Sequence, residues 1–147
     1  MTETAPPSDD PLDRPLADAE RVALLDLPLP AVFSTVAADG SVHSVPIHFV
    51  FIDGEIRFIA EKGSVKVRNA LRTGRATLCV TADVDGERRY VTVEGPVRIE
   101  DGLDQADLEA LDLRYGRDSG SAADEEYADT VTLVVRPDRW LGRADSD

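Results

Sequence analysis

Little in this chain supports chemistry by its own side chains. It has one cysteine, Cys79, so an intramolecular disulfide is excluded. The flanking Ala76, Thr77, Leu78 and Val80 make that thiol a small strand hydrophobe rather than a nucleophile. This cysteine usage points to the cytosol. There are two histidines, His43 and His48, five residues apart on one expected strand and so on opposite faces. No Gly-x-Ser-x-Gly elbow is present, and no Gly-x-Gly-x-x-Gly run opens a helix. The acids are scattered over surface helices and tails instead of grouped at metal-ligand spacing. A hydrolase triad and a metal site are therefore not expected, and no catalytic side chain is assigned. No apolar run reaches 18 residues, so no membrane span is expected. Residues 1–15 are acidic and proline-rich, without the basic and apolar regions of a signal peptide.

Lysine is also scarce, and its placement is informative. The chain carries a formal net charge of −13, which argues against general binding to nucleic acid or to anionic membranes. Yet the stretch 62–75 holds five basic residues, no acidic one, and both lysines of the protein, Lys62 and Lys66. Gly63-Ser64 reads as a turn and helix N-cap, the Ser64 hydroxyl accepting a bond from a first-turn amide. The helix after it places Val67, Ala70 and Leu71 on one face, with Lys66 beside that stripe and Arg68 and Arg72 turned away. Free amides, the positive end of the helix dipole and a flanking lysine form an anion site suited to a phosphate. The alternative for Arg68, Arg72 and Arg75 is a solvated basic face.

The length, 147 residues, suits one domain over residues 15–147 behind a disordered acidic tail, 1–14. Leu16–Leu27 has helical spacing and ends at Pro28 and Pro30. Strands follow over 31–36, 42–52 and 55–60, the last two joined by Asp53-Gly54, and together they predict a three-strand meander. On the second strand, Val45, Ile47, Phe49 and Phe51 read as core. The opposite face carries Ser44, Pro46 and His48, and suits either a flat ligand or solvent. Pro46 removes a ladder donor and marks an edge or bulge. After the basic helix come strands over 75–81 and 88–100, the second bending at Glu94-Gly95-Pro96 as a sheet does when it curls into a barrel. An acidic helix over 103–115, a polar loop over 116–124, a strand over 127–136 and a tail with Trp140 complete the chain. Six or so mainly antiparallel strands with short flanking helices predict an all-β Greek-key barrel. With so little reactive chemistry, an enzyme of this kind relies on a cofactor.

The order strand, Asp-Gly turn, His43-Ser44-Val45-Pro46, Asp-Gly turn, strand, then Gly63-Ser64-Val65-Lys66-Val67-Arg68-Asn69 resembles the split β-barrel superfamily of pyridoxamine-phosphate-oxidase-like, flavin-binding proteins. The resemblance implies that Ser64 and Lys66, with Lys62 and Asn69, hold the cofactor phosphate. It implies that Ser44, Val45, Pro46 and Ile47 lie along the tricyclic ring. Flavin-binding members commonly carry arginine where this chain has Val65, and another on the second strand where it has none, which disfavours FMN. Leu78-Cys79, Asp85-Gly86, Tyr90, Glu94-Gly95, Leu113-Arg114-Tyr115 and Trp140-Leu141-Gly142 look more like deazaflavin-dependent reductases that reduce biliverdin with coenzyme F420. By that resemblance the chain is a homodimer and an F420-dependent reductase of a conjugated substrate, with Tyr90 or Trp140 near the partner's cofactor. The competing readings are an FMN-dependent oxidase or reductase, a module that only binds flavin, deazaflavin or tetrapyrrole, and a ligand-free barrel whose basic island supports the dimer.

Overall fold

A computed structural model describes residues 14–102, 104–116 and 129–145. Nine strands and three helices occur among them, in the order β1 (Arg14–Pro15), α1 (Asp18–Leu25), β2 (Ala31–Val36), β3 (Val42–Ile47), β4 (Val50–Ile52), β5 (Glu55–Glu61), α2 (Val65–Thr73), β6 (Arg75–Val84), β7 (Glu87–Asp101), α3 (Gln105–Tyr115), β8 (Thr130–Val135) and β9 (Arg139–Asp145). Every ladder is antiparallel, and the path runs β3-β2-β6-β7-β8-β5-β4, with β9 laid between β7 and β1. This is the antiparallel split barrel with flanking helices that the sequence predicts. No described helix is long and apolar enough to cross a membrane.

The strand β7 joins the two halves. Up to Pro96 it pairs with β6, and from Val97 onward with β8. The predicted break at Gly95-Pro96 is therefore where one strand passes between sheets. Val91 and Val93 on its first half meet Phe33, Phe58, Leu78 and Leu133 in one continuous core, with Val97 and Ile99 packed against it.

The second predicted strand departs from expectation. It breaks at His48-Phe49 into β3, which pairs with β2, and β4, which pairs with β5, so there is no three-strand meander. The physical reason is Tyr115 at the end of α3. Its hydroxyl accepts from the Phe49 N–H at 3.1 Å and sits 3.1 Å from the Phe49 carbonyl and 2.9 Å from that of Leu29. The backbone groups that would continue a ladder are satisfied by a side chain instead. The two ends of the sheet path, β3 and β4, thus flank a split in the barrel wall. Pro46 lies on the terminal strand of the path, as an edge proline should.

The helix α3 covers the outer side of β5 next to this split. It is tied there by Arg57 of β5, which donates to Asp107 at 2.9 Å and to Glu100 of β7 at 2.6 Å. Burial alone would lower the Arg57 pKa, but the two carboxylates overcome it and hold the guanidinium above its ordinary value.

Two more expectations need correction. Pro137 does not end the sheet. It sits in a three-residue link, 136–138, after which β9 pairs with β7 from Arg139 to Asp145. The predicted tail is a strand, and its Trp140 is 1% exposed and edge-on to Phe51. The face of α2 is also narrower than predicted. Val67 and Ala70 are buried, but Leu71 is 65% exposed, because Asn69 is what turns inward beside them. The loop at 117–124, the first residues of the strand begun at Tyr127, Leu103 and the tail before Arg14 lie outside the described residues.

Arg14 itself belongs to the fold. It donates to Glu87 at 2.7 and 2.9 Å and to Glu20 at 2.9 and 3.1 Å, pinning β1 beside β9. These bonds, chiefly from Arg14, lower both carboxyls from 4.5 to about 2. A depressed carboxyl pKa contributes stability that is present above the unfolded value and lost as pH falls through the folded one. Docking of β1 should therefore weaken between pH 4.5 and about 2. Amide exchange at Leu16, whose N–H donates to the Gly142 carbonyl at 2.9 Å, reads this directly. Protection that falls before that of the barrel core is expected, and protection constant across the window would contradict it.

Candidate functional site

A cavity of about 450 Å³ opens at the split. Pro46, Ile47 and His48 line it from the end of β3 and the hinge beyond, with Pro30 ahead of β2. Ile59 of β5, Leu108 and Leu111 of α3, and Lys66 of α2 form the rest of the wall. The size suits a small-molecule site, and the lining is apolar with two polar groups, as such sites usually are. Among the described residues, none of those lining it is acidic, although the chain carries a net charge of −13.

The start of α2 supplies a second feature. Ser64 is the N-cap, with φ −66° and ψ 158°, but its hydroxyl makes no capping bond. That Oγ is buried and has no hydrogen-bond partner among the described residues. A buried hydroxyl left unpaired costs about 1–3 kcal/mol, so a group that pairs it is expected to be part of the working molecule. Beside it are first-turn amides that have no carbonyl in a preceding turn, and Lys66 two residues on. An oxyanion would pair with all of these. The residues present therefore fit a phosphate-bearing cofactor.

The other predicted site residues divide. Pro46, Ile47 and Lys66 meet in one cavity wall, with Ser64 in the same helical turn as Lys66. Ser44 lies on the outer face, its Oγ 2.8 Å from that of Ser34. Val45 packs against the core, so only its backbone faces the edge. Lys62 is exposed, its N–H donating to the Asp129 carbonyl at 2.8 Å. Asn69 is buried, donates to Thr35 Oγ1 at 3.2 Å and accepts from Arg72 at 3.3 Å. It braces α2 on β2. Of the two aromatics, Trp140 is core, while Tyr90 is half-buried on the outer face of the β6-β7-β9 sheet.

Sequence reasoning does not assign Ile59, Leu108, Leu111, Pro30 or Tyr115 to the site. Their sequence signals point to other roles: Pro30 to a helix stop, the leucines to an amphipathic stripe. Alternation along the strand puts His48 on the face it shares with Ser44 and Pro46, and it lines the cavity with Pro46.

Three comparisons with known proteins bear on this site. The family model described as pyridoxamine 5′-phosphate oxidase matches residues 17–144. Among solved structures, one titled F420 reductase is similar at 29% identity, covering 80% of this chain and 93% of its own, with a TM-score of 0.69. An FAD-binding protein from Mesorhizobium loti is similar at 18% identity, covering 92% and 99%, with a TM-score of 0.70. A putative 5-nitroimidazole antibiotic resistance protein from Bacteroides thetaiotaomicron is similar at 12% identity, covering 90% and 87%, with a TM-score of 0.76. These last two show the fold alone. Curated proteins give no match.

Proposed function

This chain belongs to the pyridoxamine 5′-phosphate oxidase family, and from that premise we propose that it is a coenzyme F420-dependent oxidoreductase acting on a conjugated acceptor such as biliverdin. The observation that carries the reading is the buried Ser64 hydroxyl, unpaired among the described residues and close to Lys66, which lines the cavity. The likeness to a structure titled F420 reductase supports the deazaflavin over FMN.

In this reading the Ser64 hydroxyl, the first-turn amides of α2 and the Lys66 ammonium receive the cofactor phosphate. Pro46 and Ile47 present a flat edge, and a proline there leaves no N–H to compete for a polar partner. Leu108, Leu111 and Ile59 keep water from the acceptor's side. The deazaflavin, when bound, supplies the hydride. The chain's own residues bind, orient and exclude solvent, and such positioning accounts for much of what a cofactor enzyme contributes.

A homodimer belongs to the same proposal. The outer face of the larger sheet carries a cross-strand row of Pro46, Val32, Cys79, Thr92 and Leu141, none of them charged. Val32 in this row is 47% exposed, and Val36 and Val42 beside it are 45% and 67% exposed. Two copies each carrying −13 repel unless they meet on a neutral surface, and this row is one. Sedimentation equilibrium should show a dimer, and a monomer at all concentrations would contradict it.

The activity is tested by adding biliverdin to the protein with reduced F420. Return of the oxidised deazaflavin absorbance, at a rate proportional to protein, is expected. Saturable cofactor binding with no oxidation by biliverdin or other conjugated acceptors would contradict the enzyme and leave a binding module.

A further inference from the structure

Two residues that line the cavity, Pro30 and His48, each stand next in the chain to a backbone group bonded to one hydroxyl, that of Tyr115. We propose that Tyr115 is a positioning residue. Its hydroxyl fixes the spacing of these two lips of the split, and that spacing sets the cavity's affinity for the ring of its ligand and not for the phosphate. This rests on the functional reading above and adds to it a residue that acts through the cavity wall. The Phe49 N–H donates to the hydroxyl at 3.1 Å, and the hydroxyl donates to the Leu29 carbonyl at 2.9 Å. Leu29 precedes Pro30 at the entry to β2, and Phe49 follows His48 in the hinge between β3 and β4. One oxygen thus ties the segment before β2 to the hinge after β3.

The tie is itself held. Helix α3 carries Leu108 and Leu111 into the cavity wall and Tyr115 at its last position. Asp107 anchors its first turn to Arg57 of β5 at 2.9 Å. Arg114 anchors its last turn, with the guanidinium 4.6 Å from the centroid of the Phe49 ring and donating to the carbonyls of Leu25 and Leu27. The Tyr115 ring supports His48, with centroids 4.0 Å apart and planes 10° from parallel. The helix that supplies part of the wall therefore also fixes the two lips, and the hinge cannot shift without breaking bonds to it. A wall held in this way keeps its shape before the ligand arrives, which lowers the ordering cost of binding. Removing the hydroxyl frees the lips and leaves the phosphate end, built on α2, untouched.

The test compares Tyr115→Phe, which keeps the ring under His48 and removes the hydroxyl, with Lys66→Ala, each in the full chain. Fluorescence titration follows coenzyme F420 and the deazaflavin nucleoside that lacks its phosphate. Tyr115→Phe should weaken both ligands by the same factor, about tenfold, whereas Lys66→Ala should weaken F420 alone. A second measurement needs no variant. The Phe49 N–H exchanges only when its bond to Tyr115 opens, and an opened hinge that binds the ring about tenfold less tightly obeys the same coupling in reverse. Saturating F420 should therefore slow exchange at Phe49 about tenfold in wild type. Exchange at Leu16, whose N–H donates to the Gly142 carbonyl, should stay as it was. Equal affinities in wild type and Tyr115→Phe, a loss confined to F420, a nucleoside that does not bind, or Phe49 exchange that F420 leaves unchanged or slows no more than Leu16 would each overturn the inference and leave the cofactor reading standing. Failure of F420 to bind wild type would overturn both.

Discussion

Gly95→Ala should lower stability by about 3 kcal/mol or more, the largest loss expected for a methyl added at any of the described glycines. A Cβ at Gly95 would lie 2.0 Å from the Arg136 carbonyl oxygen and 2.7 Å from its carbon. Both strands are pinned at that point. Arg136 donates its N–H to the Pro96 carbonyl at 3.1 Å, Asp138 to Glu94 at 2.9 Å, and Val97 to Gly74 at 2.9 Å. Neither backbone can retreat without breaking the passage of β7 from one sheet to the other. Gly142→Ala is the informative contrast. Its Cβ would meet Arg21 at 2.8 and 2.9 Å and Leu16 at 3.3 Å, but at side-chain carbons rather than at backbone, and at longer range. A fall in Tm of about 10 °C or more is expected for Gly95→Ala and a smaller one for Gly142→Ala. Equal, small shifts would mean that the crossing of β7 over the 136–138 link is looser than the structure shows.

Lys66→Ala should weaken cofactor binding by about one to two orders of magnitude while leaving the fold intact. A charge-assisted hydrogen bond contributes about 1.5–3 kcal/mol, which sets that range. Lys66 is half-buried at the cavity wall and contributes no core packing, so its truncation should change stability by only about 0.5 kcal/mol. Ser64→Ala removes a hydroxyl that makes no bond among the described residues, so it should also be tolerated, with a loss of affinity nearer tenfold or less. The two should differ from Asn69→Ala. Asn69 braces α2 through Thr35, so its truncation costs stability first and affinity second. Isothermal titration beside thermal melts separates these outcomes. Unchanged cofactor affinity in Lys66→Ala would remove it from the site.

Much of this arrangement is legible in the sequence, for reasons specific to particular residues. Lys66 stands out because the chain has two lysines, both in one acid-free stretch. The Asp53-Gly54 and Asp85-Gly86 hairpins are readable because both residues of each take positive φ, 53° and 77°, then 52° and 79°, which those residue types tolerate best. The bend at Gly95-Pro96 is readable because glycine and proline inside a long strand pattern both weaken regular pairing and so mark a bulge or a bend. What escapes the sequence depends on partners distant along the chain. The hinge at His48-Phe49 is set by Tyr115, 66 residues from Phe49, and alternation alone runs straight through it. β9 is hidden because Pro137 looks like a terminator until the pairing of Trp140 with Val93 is known. Leu71 has the right spacing for the α2 stripe, but the helix rolls toward Asn69 because Thr35 gives its amide a buried partner. In the site, the N-cap position of Ser64 is readable, whereas the unpaired state of its hydroxyl is not.

The central claim is that α2 and the split in the barrel hold a deazaflavin. The measurement that tests it most directly is a fluorescence titration of the purified protein with coenzyme F420, with FMN in parallel. The account predicts saturable binding of F420 and little of FMN. Preference for FMN, or binding of neither, would contradict it.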